Sequence, residues 1–206
     1  MKKCKSVEYI NNNLPKIIIL SGAKRCGKDT FAKYLTENYG YHHHKITGKL
    51  KEIIKILFDL NDLDLEENKE EVNEVWGATP RKMMQFIGTE IFQYKIQEIV
   101  PNINKKFWIK SLFNETLKDN LNNKKDYRIV ISDLRFIHEW EEINKMNLSN
   151  IHIRITNNKL NYKKDTHISE NELYKIPYNY EIKNNSDIND FHHSIKNLIK
   201  IFNQNI

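Results

Sequence analysis

The stretch Lys16-Ile17-Ile18-Ile19-Leu20-Ser21-Gly22-Ala23-Lys24-Arg25-Cys26-Gly27-Lys28-Asp29-Thr30 decides how this chain is read. Its first part is a short unbroken apolar run, as expected of a parallel strand buried on both faces. A glycine-bounded loop follows, and Phe31, Tyr34 and Leu35 then recur at helical spacing before Gly40, a residue suited to a helix C-terminus. Strand, glycine loop and helix in that order make an anion cradle. Glycines let successive backbone N–H groups turn inward, the helix N-terminus adds partial positive charge, and a lysine at the helix start reaches the outer phosphates of a nucleotide. Gly22 to Lys28 fits that pattern, with Lys28 as the lysine. The hydroxyl residue that ordinarily follows is displaced: Asp29 stands there and Thr30 comes next, so either can meet a magnesium ion.

Outward from the loop, the chain alternates strands and helices. Tyr41–Ile46 is predicted as a second strand, Leu50–Leu60 as an amphipathic helix, and Arg81–Ile99 as one long helix opened by Thr79-Pro80. Asn61–Glu74 reads as a short helix or an exposed excursion, and Lys106–Leu121 as a further helix. Tyr127–Ser132 is a second buried strand carrying Asp133-Leu134-Arg135 at its carboxyl end. Ile151–Ile155 alternates like a strand with one polar-accessible face, Tyr178–Ile182 is a last strand, and Phe191–Phe202 a closing helix. The fold class is therefore α/β, a three-layer sandwich with a central parallel sheet and helices on both faces. Sites in such folds gather at the carboxyl ends of the strands. The organisation expected is a flexible leader over 1–14 and one domain over 15–206, with an acceptor-binding region near 48–100 and a lid near 156–175.

Composition narrows the class of partner. The 206 residues carry a net charge of +6, with 29% charged and 39% hydrophobic residues, which suits a folded protein attracted to anions. No long basic run accompanies that charge, so the sequence favours small phosphorylated substrates over nucleic acid as partner. Two cysteines, Cys4 and Cys26, do not make a disulfide framework. No apolar stretch is long enough to span a bilayer, and the expectation is a cytoplasmic protein without a membrane partner. A homodimer is compatible with all of this. His42-His43-His44 does not read as a metal site, because neighbours on a strand point to opposite faces.

Chemistry is assigned by residue type and position. Asp133 can order magnesium water or the acceptor, and Arg135 can bridge phosphates as charge moves between them. Arg81 and Gln85, four residues apart on one predicted helix with Gly88 beyond, can clamp an acceptor phosphate and read a base edge. Lys51 can reach the same acceptor. Lys159, Lys163, Lys164 and His167 lie in the long polar segment after the third strand, where closure over two phosphorylated ligands would exclude water.

With these residues in view, the sequence resembles the deoxynucleoside monophosphate kinases of T-even-type phages and related large viruses. The resemblance rests on Gly22–Thr30, including the Asp after the lysine, on Arg81–Thr89, and on Ile131-Ser132-Asp133-Leu134-Arg135. It continues in Asp165-Thr166-His167-Ile168-Ser169-Glu170 and in Ile182-Lys183-Asn184-Asn185-Ser186, similar to a turn bordering the adenine ring. It implies ATP and Mg²⁺ as cofactors and a nucleoside monophosphate as acceptor. ATP would be bound by Gly22, Ala23, Lys24, Arg25, Cys26, Gly27, Lys28, Asp29, Thr30 and Asn185, with Lys28, Asp133 and Arg135 catalytic. Asp29, Thr30 and Asp133 would serve the metal, Lys51, Arg81, Gln85 and Arg154 the acceptor, and Lys163, Lys164, His167 and Glu170 the lid. Animal phosphomevalonate kinases are similar in the Gly-Lys-Asp loop and the strand-end Ser-Asp-x-Arg, so a non-nucleotide phosphate ester is a second reading of the acceptor. A nucleotide-regulated nucleic-acid binding module is the third.

Overall fold

Five hydrophobic or small residues in a row, Ile17–Ser21, are fully buried and form strand β1. A strand enclosed on both faces belongs in the middle of a sheet, and β1 is the central strand in a computed structural model describing residues 14–160 and 172–204. The other strands are β2 (Tyr41–His44), β3 (Arg128–Ile131), β4 (Asn150–Thr156) and β5 (Tyr180–Lys183). All pair in parallel in the order β2-β3-β1-β4-β5. Ile17, Ile18 and Ile19 lie beside Ile129, Val130 and Ile131 on one side, and Ser21 beside Arg154 on the other. The strand order reverses direction at β1, so its carboxyl end opens onto the crevice where such sheets bind ligands.

The chain divides into two compact units. One comprises the described residues up to His44 and from Glu115 onward, and the other is Lys45–Asn114. The single domain expected over 15–206 thus carries a helical unit with an apolar core of its own.

In the sheet unit, helix α1 (Lys28–Tyr39) buries Phe31, Ala32 and Leu35. They join Ile18 and Leu20 of β1, Ile153 and Ile155 of β4, and Phe191, Ile195, Ile199 and Phe202 of the last helix. Phe31 meets Phe191 edge-on at 6.3 Å between ring centres. Each such side chain contributes about 2 kcal/mol on leaving water, which is why the segments around the loop are rigidly backed. Leu14, the last residue of the expected leader, is buried in the same cluster; residues 1–13 lie outside the described part.

The helical unit contains α2 (Gly48–Phe58), α3 (Asp62–Glu66), α4 (Pro80–Gln85) and α5 (Phe107–Leu112). Thr79 caps α4 by accepting from the Lys82 N–H at 3.2 Å, with Pro80 in the first turn as expected. The long helix expected over Arg81–Ile99 is corrected here. After Gln85 the chain widens into π-helical turns over Phe86–Tyr94 and then tightens over Lys95–Glu98. That winding turns Gly88 inward: a Cβ there would lie 2.7 Å from Leu50 Cδ2, and the Gly88 carbonyl accepts the Trp108 indole N–H at 2.8 Å. Gly88 therefore packs, and does not extend the face begun by Arg81 and Gln85. Phe92, Phe107 and Trp108 meet one another in tilted and edge-on pairs with ring centres 4.6 to 5.1 Å apart.

The helix expected over Lys106–Leu121 is likewise two, α5 and α6 (Glu115–Asn123), because Phe113 leaves helical geometry. In the sheet unit, α7 (Ile137–Asn144) follows β3, and α8 (Ile188–Gln204) closes the described chain.

Candidate nucleotide-binding site

The loop between β1 and α1 is held by close packing. Gly22 has φ 141°, and a Cβ on it would meet the Ile155 carbonyl oxygen at 2.2 Å. Gly27 has φ 112°, and a Cβ there would lie 2.6 Å from Asn184 Nδ2. Both positions exclude any other residue, by backbone conformation and by space. Gly27 precedes the first turn of α1, and its carbonyl accepts the Phe31 N–H at 2.9 Å.

Lys28 Nζ lies over the loop, donating to the carbonyls of Gly22 at 2.8 Å and Ala23 at 2.7 Å. Its ammonium thus sits within the concave turn where phosphate oxygens are received in loops of this type. Lys24 is half-buried, and Arg25 is exposed in the left-handed region at φ 66°. Ala23 and Cys26 are buried; burial pushes the Cys26 thiol up, so this side chain packs and is not a nucleophile. Thr30 is half-buried in the first turn of α1.

Asn184 supports the loop from across the sheet, donating from Nδ2 to the Cys26 carbonyl at 3.0 Å. The neighbouring Asn185, expected at the adenine, instead accepts the Asn158 N–H at 2.8 Å and ties the chain leaving β4 to the turn after β5.

Asp29 opens α1 and is exposed. Ser132, directly after β3, donates from its buried hydroxyl to Asp29 Oδ1 at 3.1 Å. His43 Nε2 of β2 lies 2.7 Å from the same Ser132 Oγ and 3.9 Å from Asp29 Oδ1. Neither Ser132 nor His43 was expected at the site. The signals were present: a hydroxyl beside Asp133 compensates for the one missing after Lys28, and period-two alternation sets His43 apart from His42 and His44.

Asp133 and Arg135 are half-buried in the β3–α7 turn, on the same edge of the sheet. Glu139, completely buried, holds this turn: its Oε2 accepts the N–H groups of Arg135 at 3.0 Å and Phe136 at 3.1 Å. Burial raises its carboxyl to about 8, against the pull of those two donors.

The polar face of β4 is enclosed, where a solvent-accessible one was expected. His152 is fully buried; its Nε2 bonds Ser21 Oγ at 2.7 Å and its Nδ1 the Pro177 carbonyl. Burial lowers its pKa to about 4, so the ring is neutral. Arg154, expected at the acceptor, donates from Nη2 to the carbonyls of Leu173, Tyr174 and Ile176 and stacks on Tyr178 at 4.2 Å. These contacts tie the 173–178 segment to β4, because one planar guanidinium can serve several carbonyls at once. Lys163, Lys164, His167 and Glu170 lie outside the described residues.

The other expected acceptor residues, Lys51, Arg81 and Gln85, lie in the helical unit. Lys51 pairs with Glu66, and Arg81 Nη1 is 3.3 Å from Glu70 Oε1. Gln85 is half-buried at the end of α4. Beside it, an apolar cavity of about 540 Å³ is lined by Leu57, Phe58, Met83, Phe86, Ile87 and Phe92.

A parallel sheet whose central strand delivers a lysine-bearing glycine loop to a helix N-terminus defines a P-loop phosphotransferase. The model of the family described as deoxynucleotide monophosphate kinase matches residues 16–79 and 61–195. A protein of Acanthamoeba polyphaga mimivirus, provisionally named for that activity, is 33% identical over 184 residues, covering 87% of this chain and 93% of its own. The deoxynucleotide monophosphate kinase of Enterobacteria phage T4 is 26% identical, with 90% of this chain and 99% of that protein covered. A solved dephospho-CoA kinase from Campylobacter jejuni is 17% identical with a TM-score of 0.47, over 94% of this chain and 100% of that one. This chain belongs to the deoxynucleotide monophosphate kinase family.

No helix among the described residues is long and apolar enough to cross a membrane. Nor do three or more His, Cys, Asp or Glu side chains among them gather into a group able to hold a metal ion.

Proposed function

We propose that this protein transfers the γ-phosphoryl group of ATP to a deoxynucleoside monophosphate, giving ADP and the deoxynucleoside diphosphate. The observation that carries the reading is the Lys28 ammonium seated over the Gly22 and Ala23 carbonyls inside a loop that only glycines can form. Family membership selects the acceptor class.

Transfer of this kind needs little covalent chemistry from the protein, and acceleration comes from alignment and charge stabilisation. Lys28 neutralises charge on the outer phosphates, the loop amides orient them, and Arg135 stabilises the group in flight. Asp133 orients the acceptor or the water around the cation. Arg81 holds the acceptor phosphate, exchanging its exposed Glu70 partner for a doubly charged one, and Lys51 does the same with Glu66. The cavity beside α4 has the size and apolar lining to take the faces of a nucleobase, and Gln85, at the end of the same helix, reads polar groups.

Magnesium fits the oxygen donors present. Mg²⁺ is usually bound by one or two carboxylates together with the phosphates of its nucleotide and needs no cage of protein ligands. Asp29, Thr30 and Asp133 supply that partial set. When bound, the ion neutralises phosphate charge.

The deciding experiment is a panel of deoxynucleoside monophosphates, ribonucleoside monophosphates and phosphomevalonate, with ADP release measured for each. Acceptor-dependent turnover on deoxynucleotides is expected. Turnover on phosphomevalonate alone would overturn the acceptor, and salt-sensitive DNA binding without turnover would overturn the enzymatic reading.

A further inference from the structure

In many P-loop proteins the cation is served by a hydroxyl after the loop lysine and a carboxylate at the end of a neighbouring strand. Here Asp133 still follows the strand, but beside it a carboxylate and a hydroxyl stand in the reversed positions. The carboxylate, Asp29, follows Lys28, and the hydroxyl, Ser132, ends β3 and bonds to it at 3.1 Å. A third group is attached, His43 Nε2 at 2.7 Å from Ser132 Oγ.

The direction of these bonds follows from proton counting. A serine hydroxyl has one hydrogen, and an ionised carboxylate only accepts. The Ser132 hydrogen therefore lies toward Asp29 Oδ1, and His43 must donate to Ser132 Oγ, which defines its Nε2–H tautomer. The three residues come from α1, the end of β3 and β2. Pairing of His43 with Val130 and of His44 with Ile131 sets the reach of the imidazole to Ser132.

We propose that His43 and Ser132 are positioning residues for Asp29, a donor relay that holds one carboxylate oxygen so that the other is presented to the divalent cation travelling with the nucleoside triphosphate. This rests on the reading of Asp29 as a cation residue. His43 touches neither nucleotide nor acceptor in this scheme and acts only through Ser132. Groups that orient metal-binding side chains typically change metal affinity by about 10-fold or more when removed.

The test is Mn²⁺ binding in the presence of ATP, followed by electron paramagnetic resonance, with turnover measured in parallel. His43→Phe is expected to weaken Mn²⁺ binding roughly tenfold and leave the acceptor KM unchanged. His43→Gln, which keeps a donor at the same reach, is expected to restore it. Ser132→Ala should weaken binding comparably, and the double variant His43→Phe/Ser132→Ala should stay within about twofold of Ser132→Ala, because the relay runs from the histidine through the serine. Wild-type Mn²⁺ affinity in His43→Phe, or multiplying losses in the double variant, overturns the relay. If His43→Phe does not fold, His43→Gln and Ser132→Ala carry the test, and loss in the first or none in the second overturns it. Asp29→Ala separates the two levels: unchanged Mn²⁺ affinity there overturns the cation role of Asp29, whereas a loss there with none in His43→Phe overturns only the relay.

Discussion

The side-chain amide of Asn184 donates to the carbonyl of Cys26 at 3.0 Å, joining the turn after β5 to the phosphate loop across 158 positions of sequence. This bond brings Nδ2 to within 2.6 Å of where a Cβ on Gly27 would stand, with Phe191 Cε1 at 3.1 Å. Gly27→Ala must therefore displace Asn184 and also hold a left-handed backbone. A stability loss of about 1–3 kcal/mol is expected, together with loss of ATP binding. Thermal melts and ATP titration check it, and a variant with wild-type affinity would show that the loop is not built on this contact.

Lys28 donates to two loop carbonyls, and its Nζ lies 3.7 Å from the Cys26 sulfur. Lys28→Met should melt within about 1 kcal/mol of the parent while losing at least roughly a hundredfold in turnover, since it removes a preorganised positive group from the phosphates. A coupled ADP assay beside a thermal melt measures both. Near-normal turnover would be incompatible with the mechanism.

His152 links Ser21, at the foot of the loop, to Pro177. Its folded pKa of about 4 lies below the ordinary 6.5, chiefly through burial. For a base shifted down, the unfolded chain binds the extra proton. Its contribution is therefore intact above pH 6.5 and is lost as pH falls toward 4, by roughly 3 kcal/mol in full. The melting temperature should fall across that window in the parent and less steeply in His152→Gln. Parallel pH profiles would refute the assignment.

The Trp108 indole donates to the Gly88 carbonyl inside the helical unit. Trp108→Phe keeps most of the ring packing with Phe92 and Phe107 but leaves that buried carbonyl one donor short. A loss of about 1–3 kcal/mol is expected, with ATP affinity retained, because the phosphate loop lies in the other unit. Denaturant unfolding and nucleotide titration separate the two effects.

The middle of the sheet was legible because β1 and β3 are short apolar runs closed by polar residues, and Ile17–Ser21 and Arg128–Ile131 stand close to where their sequence patterns end. The helical unit was harder. The shift from α to π winding after Gln85 depends on Leu50 meeting Gly88 and on Trp108 reaching its carbonyl, contacts between residues far apart in the chain. A propensity reading of Arg81–Ile99 contains neither. The partners of Arg154 were hidden for a related cause: an arginine near a strand end suits a phosphate as well as a set of carbonyls, and the path of residues 173–178 is what supplies the carbonyls.

Local order alone therefore determined the phosphate loop. Strand, glycines, lysine and helix are consecutive, and their chemistry follows from backbone geometry over some fifteen residues. What surrounds the loop was decided by tertiary structure. Ser132, His43, Asn184 and His152 reach it from the four other strands or the turns that follow them. Parallel pairing places the ends of strands distant in sequence along one edge, and hydrogen bonds between side chains arise only once register has set their distances.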